Sequence, residues 1–370
     1  MGKIICQTNS LDEACRCITQ LQNAAVSSEF AIINKARTAE FIDNKQLSSF
    51  AIGAFSLGKH LFSGNQITSY QISLASHPTS GRASIQYSVN YMAEAKAIND
   101  LRCTCAVISR DIQSNLGPFP SFSDKIRAVQ KFFISHFKYR DSKGSNAHSA
   151  VDLLRSGEGV CQAIASAACL ILPWIGIDCL FVSGEGFDGD KWGPHGWNAV
   201  KTPEGNWVFV DFTFGLNTFV FPPSTINKIA EKRFAMNHRW DAEQHSEKAF
   251  EATLSWIAKS NATVFTVFPD KTEFFMDGIS VSSGFSVLQS TNKRYSINLT
   301  FLFRLLGGGV EYIQSSNRLH FVLYNREMYI ENAETYICPG GFDVRSLNVL
   351  PISYSIVGQG LEIQLGAYHE

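Results

Sequence analysis

A cysteine that follows two glycines and begins an apolar run is the feature that most constrains this fold. Cys161 comes after Gly157 and Gly159 and opens a segment rich in alanine and leucine, residues 163–172. Such a run is typical of a buried helix, so Cys161 is predicted at a helix N-terminus. There the unpaired N–H groups and the positive end of the helix dipole favour a thiolate and can also receive an oxyanion. We therefore predict that Cys161 is a nucleophile.

Two short alternating segments follow the apolar run. Residues 195–201 and 206–212 alternate in polarity, and Thr-Pro-Glu-Gly between them predicts a hairpin turn. Neighbouring antiparallel strands would bring His195 and Asp211 within hydrogen-bonding distance. The carboxylate would fix the orientation of the imidazole, which would take the proton from the thiol. Cys161, His195 and Asp211 are therefore the predicted catalytic residues.

Four motifs surround these residues in a fixed order. They are Gly-Val-Cys-Gln-Ala-Ile-Ala (159–165), Gly-Ile-Asp-Cys-Leu-Phe-Val-Ser-Gly (176–184), His-Gly-Trp-Asn-Ala-Val (195–200) and Trp-Val-Phe-Val-Asp-Phe-Thr (207–213). Together they resemble the transglutaminase-like superfamily, especially its bacterial cysteine protease type, and a spaced set is far more specific than any single motif. The resemblance implies a Cys-His-Asp triad at the three positions above. One departure is Gly196, where relatives commonly carry alanine.

The resemblance also implies an α+β fold of the papain/transglutaminase type, in which the helix carrying the nucleophile packs on an antiparallel sheet. A glycine- and proline-containing stretch, residues 114–123, marks a boundary before this core. We therefore predict an N-terminal α+β module (1–115), a catalytic core with covering helices (116–262) and a C-terminal β-rich module (263–370).

Local patterns predict further elements. Ser10 precedes apolar residues at helical spacing and is predicted to cap a helix over residues 10–27. Ser123 is predicted to cap a helix that runs to about Phe137, and residues 46–62 are predicted to form another helix. Alternating patterns predict strands at 30–33, 67–74 and 83–92.

Candidate cleft residues lie on both sides of the predicted nucleophile. Tyr139 belongs to an aromatic segment upstream of it, where a plain packing role is an equal alternative, and Gln162 follows it directly. Phe187 and Trp192 flank a glycine-rich loop that leads into the histidine strand. Trp197 shares a strand face with the predicted base and would cover the site from water.

The residues do not indicate a metal site or a cofactor. The Cys-x-Cys pairs at 15–17 and 103–105 lack the spacing typical of zinc ligands. Asp188 and Asp190 are two carboxylates without the rest of a calcium loop, so both are interpreted as solvated loop residues. No metal and no cofactor is therefore predicted.

The C-terminal region contains a pattern that repeats with a shift of 51 positions. Leu299-x₆-Leu-Gly-x-Gly-Val-Glu returns as Leu350-x₆-Val-Gly-x-Gly-Leu-Glu, and a helix with a glycine C-cap before a strand would explain both copies. The pattern resembles the duplicated domain named after the N-terminal region of copper amine oxidases, without a histidine cluster that would imply copper. Between the core and this region, residues 216–260 are predicted as a loop and helices, with His238 and Trp240 in structural roles.

Composition excludes some partners. The 32 basic and 33 acidic residues give a net charge of −1, without a lysine or arginine run, so neither nucleic acid nor an anionic membrane is an expected partner. No apolar run reaches membrane-spanning length, and the first residues are too short an apolar stretch for a signal peptide. The chain is therefore expected to be cytoplasmic as it stands, or secreted or at the cell surface after removal of a leader.

Two functions from different classes remain open. The first is a cysteine-dependent acyl-transfer enzyme acting on peptide or glutamine amide bonds, more as a peptidase than as a cross-linking transglutaminase. Its partner would be a protein or peptide substrate. The second is a non-catalytic binding or scaffold protein of the bacterial cell surface, with a cell-wall or surface partner at the C-terminal module.

Overall fold

The computed structural model describes residues 4–24, 30–34, 67–77, 82–140, 145–213, 234–260, 264–283, 285–291, 294–323, 326–338, 341–343, 345–346, 350, 353–357 and 360–364. The helices in these ranges are α1 (Leu11–Asn23), α2 (Ala95–Ser114), α3 (Phe122–His136), α4 (Ala150–Ser156), α5 (Cys161–Ile171), α6 (Glu247–Ser260) and α7 (Leu299–Leu305). Within these ranges, none of the helices combines the length and hydrophobicity needed to cross a bilayer.

The strands of the same ranges are numbered β1 to β22 in chain order. They are β1 (Ile4–Thr8), β2 (Phe30–Asn34), β3 (Ile67–His77), β4 (Arg82–Tyr91), β5 (Lys138–Tyr139), β6 (Glu158–Gly159), β7 (Cys179–Phe187), β8 (Trp192–Lys201), β9 (Trp207–Val210), β10 (His238–Arg239), β11 (Val264–Val267), β12 (Glu273–Met276), β13 (Ile279–Ser282), β14 (Leu288–Thr291), β15 (Arg294–Ile297), β16 (Gly309–Ile313), β17 (Arg318–Leu323), β18 (Arg326–Glu331), β19 (Ile337–Cys338), β20 (Gly341–Asp343), β21 (Ser353–Val357) and β22 (Gly360–Gln364).

The chain divides into two compact units. Unit 1 contains residues 1–100 and 257–370, and unit 2 contains residues 101–256. The structure therefore departs from the three predicted modules, because the two flanking segments share one sheet. In that nine-stranded sheet, with order β21-β22-β11-β12-β13-β1-β2-β4-β3, strand β1 pairs antiparallel with β13 and parallel with β2. Unit 1 also contains smaller sheets built from β14 to β20.

The two copies of the C-terminal repeat fold differently. The first forms α7 followed by β16, with Gly307 between them in the left-handed region (φ 76°). The second forms the antiparallel strands β21 and β22, so the predicted second helix is corrected to a strand. This copy has Pro351 directly after Leu350 and then alternates serine with apolar residues, a pattern that favours a strand over a helix.

Helix caps explain where two predicted helices begin. The Ser10 side chain accepts a hydrogen bond from the Glu13 N–H at the start of α1, as predicted. At α3 the cap is Ser121 and not Ser123, because Asp124 lies three residues after Ser121 and the two form a reciprocal capping box. The predicted helix at 46–62 lies outside the described residues.

Unit 2 has the mixed α+β architecture expected of its core. Strands β10-β7-β8-β9 form an antiparallel sheet, with Gly184 of β7 opposite His195 of β8. Helix α5 packs against β8, and Asn198 donates from Nδ2 to the Ala165 carbonyl at 2.9 Å, which ties the helix to the strand. The alanine-rich face of α5 is buried, which holds Cys161 close to the sheet.

Candidate active site

Two glycines fix the backbone in front of Cys161. Gly157 ends α4 in the left-handed region (φ 74°), where glycine has no steric penalty. Gly159 lies in β6 opposite Tyr139 of β5, and an added Cβ there would lie 2.9 Å from Leu153 Cδ1. The first glycine is therefore required by a turn and the second by close packing.

Cys161 is the first residue of α5 and is 7% exposed. Its sulfur contacts the His195 side chain and the backbone N–H groups of Gln162 and Gly196. The N-cap residue Val160 offers no side-chain hydrogen bond that would compete for the N–H groups of the first turn. Burial would raise the pKa of the thiol, but the hydrogen bond and charge of His195 and the two N–H groups bring that pKa below its usual value.

His195 lies in β8 between the thiol and a carboxylate. Its Nε2 is 2.6 Å from Asp211 Oδ2. Each ring nitrogen has one in-plane hydrogen-bonding direction, so the contact with Cys161 is assigned to Nδ1. Burial would lower the pKa of His195, but hydrogen bonds and charge from Asp211 and Cys161 raise it to about 9. Together with the lowered pKa of the thiol, this favours a thiolate and an imidazolium at neutral pH.

Asp211 follows β9 directly and is fully buried. Its Oδ1 accepts from the Thr213 N–H at 2.7 Å, and its Oδ2 lies 3.0 Å from His238 Nε2 as well as close to His195. Burial would raise the pKa of Asp211, but the hydrogen bonds from His195, His238 and Thr213 and the charge of His195 lower it to about 2. The carboxylate is therefore ionised across the neutral range.

His238 contacts Asp211, although its sequence context predicts a structural role. It lies in β10, opposite Gly186 of β7, and its ring stacks on Phe234 with centroids 3.7 Å apart. It comes 27 residues after Asp211, so no local spacing pattern connects the two. The sequence signal that could have indicated a role in the site is the position of this histidine inside the aromatic-rich segment 233–240.

A cavity of about 340 Å³ opens beside the imidazole. Asp188, interpreted from sequence as a solvated loop residue, contributes to its wall, and the Asp188 Oδ1 accepts from the Asp190 and Lys191 N–H groups at 2.9 Å each. Tyr139, a predicted cleft residue, lines the same cavity. The lining residues include Tyr139, Gly186, Asp188, Gly193, Pro194 and His195.

A family model covers the segment that builds this site. Residues 109–212 match the model described as the transglutaminase-like superfamily. This part of the chain is a transglutaminase-like domain. The matched residues include Cys161, His195 and Asp211. A search of curated proteins found no match.

Three solved structures are similar to this chain at low identity. One named TGase is 13% identical, with 62% of this chain and 63% of that chain covered and a TM-score of 0.28. A putative cysteine protease from Cytophaga hutchinsonii is 13% identical, with 40% of this chain and 65% of that chain covered and a TM-score of 0.24. A putative protease from Parabacteroides distasonis is 8% identical, with 90% of this chain and 64% of that chain covered and a TM-score of 0.21. The chain spans just under two thirds of the length of each.

Trp197 of the transglutaminase-like domain lies behind the imidazole and not in the cavity. It is fully buried, and its ring centroid is 5.8 Å from that of His195 and 5.0 Å from that of His238. It shares the strand face of His195 as predicted, but aromatic rings on the neighbouring elements cover that face. Its predicted place in the cleft is therefore corrected to a packing position against two histidine rings.

The other cleft candidates of the transglutaminase-like domain are Phe187, Trp192 and Gln162. Phe187 and Trp192 are opposite each other in the β7–β8 hairpin, half-buried, with ring centroids 5.4 Å apart. The Arg239 guanidinium lies 3.8 Å from the centroid of the Trp192 ring. Gln162 is half-buried and contacts the Cys161 sulfur through its backbone N–H.

Close packing explains the glycine that follows the histidine in this transglutaminase-like domain. An added Cβ at Gly196 would lie 2.8 Å from Phe181 Cζ. The Gly196 N–H also contacts the Cys161 sulfur. Glycine at this position therefore leaves room for the Phe181 ring while it keeps the N–H directed at the thiol.

The cluster of His195, Asp211 and His238 brings three potential metal ligands together. However, His195 Nε2 and Asp211 Oδ2 are only 2.6 Å apart. Two ligands bound to one zinc at about 2.0–2.1 Å in tetrahedral geometry would be about 3.4 Å apart. The spacing therefore fits a hydrogen bond and not a shared metal ion.

Gly186→Ala is expected to slow alkylation of Cys161 by iodoacetamide about tenfold, because loss of the oriented imidazole reduces the thiolate fraction. The new Cβ would lie 2.8 Å from His195 Cγ and would push the ring from its position between Cys161 and Asp211. The matched control is Gly193→Ala on the opposite strand, where an added Cβ meets nothing within 4 Å. Equal alkylation rates in the two variants would show that Gly186 does not hold the ring in place.

Proposed function

We propose that this protein is a cysteine-dependent acyl-transfer enzyme that acts on peptide or glutamine amide bonds and transfers the acyl group mainly to water. The observation that carries the proposal is the buried hydrogen-bonded chain from the Cys161 sulfur through the His195 ring to the Asp211 carboxylate. It lies at a helix N-terminus and beside a cavity. This is the arrangement that nucleophilic catalysis by a thiolate needs.

The first half-reaction forms a thioester. The Cys161 thiolate attacks the carbonyl carbon, and the carbonyl oxygen gains negative charge. N–H groups at the start of α5 and from Gly196 face the sulfur and would stabilise that charge. The tetrahedral intermediate collapses as the C–N bond breaks, and the His195 imidazolium gives its proton to the leaving amine. Asp211 keeps the ring oriented and stabilises its positive charge.

The second half-reaction releases the acyl group. Neutral His195 takes a proton from water, and the resulting hydroxide attacks the thioester carbonyl. The C–S bond then breaks, the thiolate returns, and the acid product leaves. An amine in place of water would give transamidation by the same proton transfers. The resemblance to bacterial transglutaminase-like cysteine proteases favours water as the acceptor.

The proposal is tested by mass-spectrometric mapping of brief, substoichiometric iodoacetamide labelling at pH 7. We expect Cys161 to react about tenfold faster than an ordinary exposed thiol, of which about 3% is ionised at that pH. Half-buried Cys338 is an internal reference, and Cys105, whose pKa is raised by burial, should react very slowly. In His195→Ala we expect Cys161 to be labelled no faster than an ordinary thiol.

A substrate probe completes this test. p-Nitrophenyl acetate carries an activated ester, and its acyl group is small compared with the cavity of about 340 Å³. We expect release of p-nitrophenolate together with the appearance of one acetyl group on the peptide that contains Cys161. This acetyl group should then be lost over time by hydrolysis. Uniform labelling of the thiols and the absence of an acetylated Cys161 would contradict the enzyme and favour the scaffold function.

A further inference from the structure

A second histidine shares the carboxylate of the site. Asp211 Oδ2 is 2.6 Å from His195 Nε2 and 3.0 Å from His238 Nε2. The other oxygen, Oδ1, accepts from the Thr213 N–H at 2.7 Å. All of these groups lie in unit 2, and His238 is only 4% exposed. The carboxylate is therefore held on both oxygens.

The surroundings of His238 define what its ring nitrogens do. Nδ1 lies 3.1 Å from the Phe234 carbonyl oxygen, and Nε2 faces the ionised Asp211. An ionised carboxylate only accepts hydrogen bonds, so Nε2 is the donor in the contact with Asp211. The ring also lies flat on Phe234, with an interplanar angle of 11°, which limits rotation of the imidazole.

Other aromatic rings fix the position of His238. Trp197 packs edge-on against it at 5.0 Å between centroids, and backbone pairing of β10 with β7 holds its main chain opposite Gly186. The donor to Asp211 is therefore presented by a rigid side chain. Without His238, Asp211 would keep the Thr213 N–H on Oδ1 and His195 on Oδ2, but Oδ2 would lose the second donor that holds it in line with the base.

We infer that His238 is a positioning residue, which donates through Nε2 to Asp211 and so holds that carboxylate in register with His195. This inference rests on the proposed acyl-transfer function. His238 does not contact the reacting atoms in this assignment. Its contribution is the orientation of Asp211, and through Asp211 the orientation of the His195 ring.

Two substitutions separate this role from plain packing. In His238→Gln the side-chain amide reaches the place of Nε2 and can still donate to Asp211. In His238→Asn the shorter amide reaches only the place of Nδ1, so it can keep the bond to the Phe234 carbonyl and lose the bond to Asp211. Thermal unfolding of both variants reports whether each remains folded.

We expect His238→Gln to release p-nitrophenolate from p-nitrophenyl acetate within about threefold of the native rate, since one donor to the carboxylate remains. We expect His238→Asn to be about 10- to 100-fold slower in kcat at similar KM, the range for one lost hydrogen bond to a charged group. Equal rates in the two variants, or a fully active His238→Asn, would overturn the inference.

A second readout does not depend on turnover. The proton on His195 Nε2, bonded to Asp211 at 2.6 Å, should give a far-downfield proton NMR signal, assigned by its loss in His195→Ala. We expect this signal in the native protein and in His238→Gln, and its loss or upfield shift in His238→Asn. If the three proteins give these NMR signals but the native protein shows no turnover, the proposed function fails and the positioning role stands. If turnover is present and His238→Asn keeps the signal, the positioning role fails alone.

Discussion

Cys161→Ala is expected to reduce p-nitrophenolate release to the uncatalysed background, a loss of at least about 10³-fold in kcat/KM. The methyl group cannot form a thioester, and the His195 imidazolium would have no thiolate to pair with. Orientation and N–H groups alone do not replace a covalent nucleophile. The loss should also remove the acetylated peptide from the mass spectrum.

Stability should change little in this variant, because alanine is a good helix former and Cys161 is already the first residue of α5. The matched control is Cys338→Ala, which removes another free thiol of the described residues and should keep the native rate. Cys161→Ser preserves the shape but has a much weaker nucleophile and should resemble Cys161→Ala. Turnover that survives in Cys161→Ala would assign the reaction to another residue.

Asp211→Asn is expected to lower kcat/KM by about 10²- to 10⁴-fold while the protein stays folded. The amide has nearly the same shape as the carboxylate, but it cannot stabilise the His195 imidazolium by charge. The pKa of His195 would fall from about 9, and the thiolate fraction of Cys161 at pH 7 would fall with it. Iodoacetamide labelling and ester turnover should therefore slow together.

The pH dependence of stability provides an independent check on Asp211. Its pKa is lowered from 3.8 to about 2 by folding, so its contribution is present above pH 4 and is lost as the pH falls towards 2. The corresponding free energy is about 2 kcal/mol. In Asp211→Asn this part of the acid destabilisation should be absent in urea unfolding curves between pH 4 and pH 2. A folded Asp211→Asn with native turnover would remove Asp211 from the mechanism.

Most of this candidate site is predictable from the sequence because its signals are local. Glycines before Cys161, an apolar helix after it, and two alternating segments joined by a turn place the three side chains on neighbouring elements. The structure has α5, β8 and β9 at these positions, with the antiparallel pairing of β8 and β9 that the turn predicted. Short-range patterns of this kind depend little on the rest of the chain.

The parts that sequence reasoning missed depend on contacts between distant segments. His238 reaches Asp211 from a two-residue strand at the sheet edge, and only the fold brings the two together. Trp197 has the predicted strand face, but the burial of that face depends on Phe209, Phe234 and Trp240. The second repeat copy has the glycine spacing of the first, yet the predicted helix is replaced by β21, because β21 pairs with β22, which itself pairs with β11.

The pairing of β1 with β13 determines the order in which the chain can fold during synthesis. Ile5 lies opposite Ser282, so an early strand must wait for a partner made much later. All of residues 101–256 emerge from the ribosome before that partner, and they contain every strand of the sheet that holds His195. The segment with the cysteine, histidine and aspartate can thus be complete while the nine-stranded sheet is still unfinished. Until β13 is made, the edge of β1 opposite β2 is unpaired and exposed to other chains.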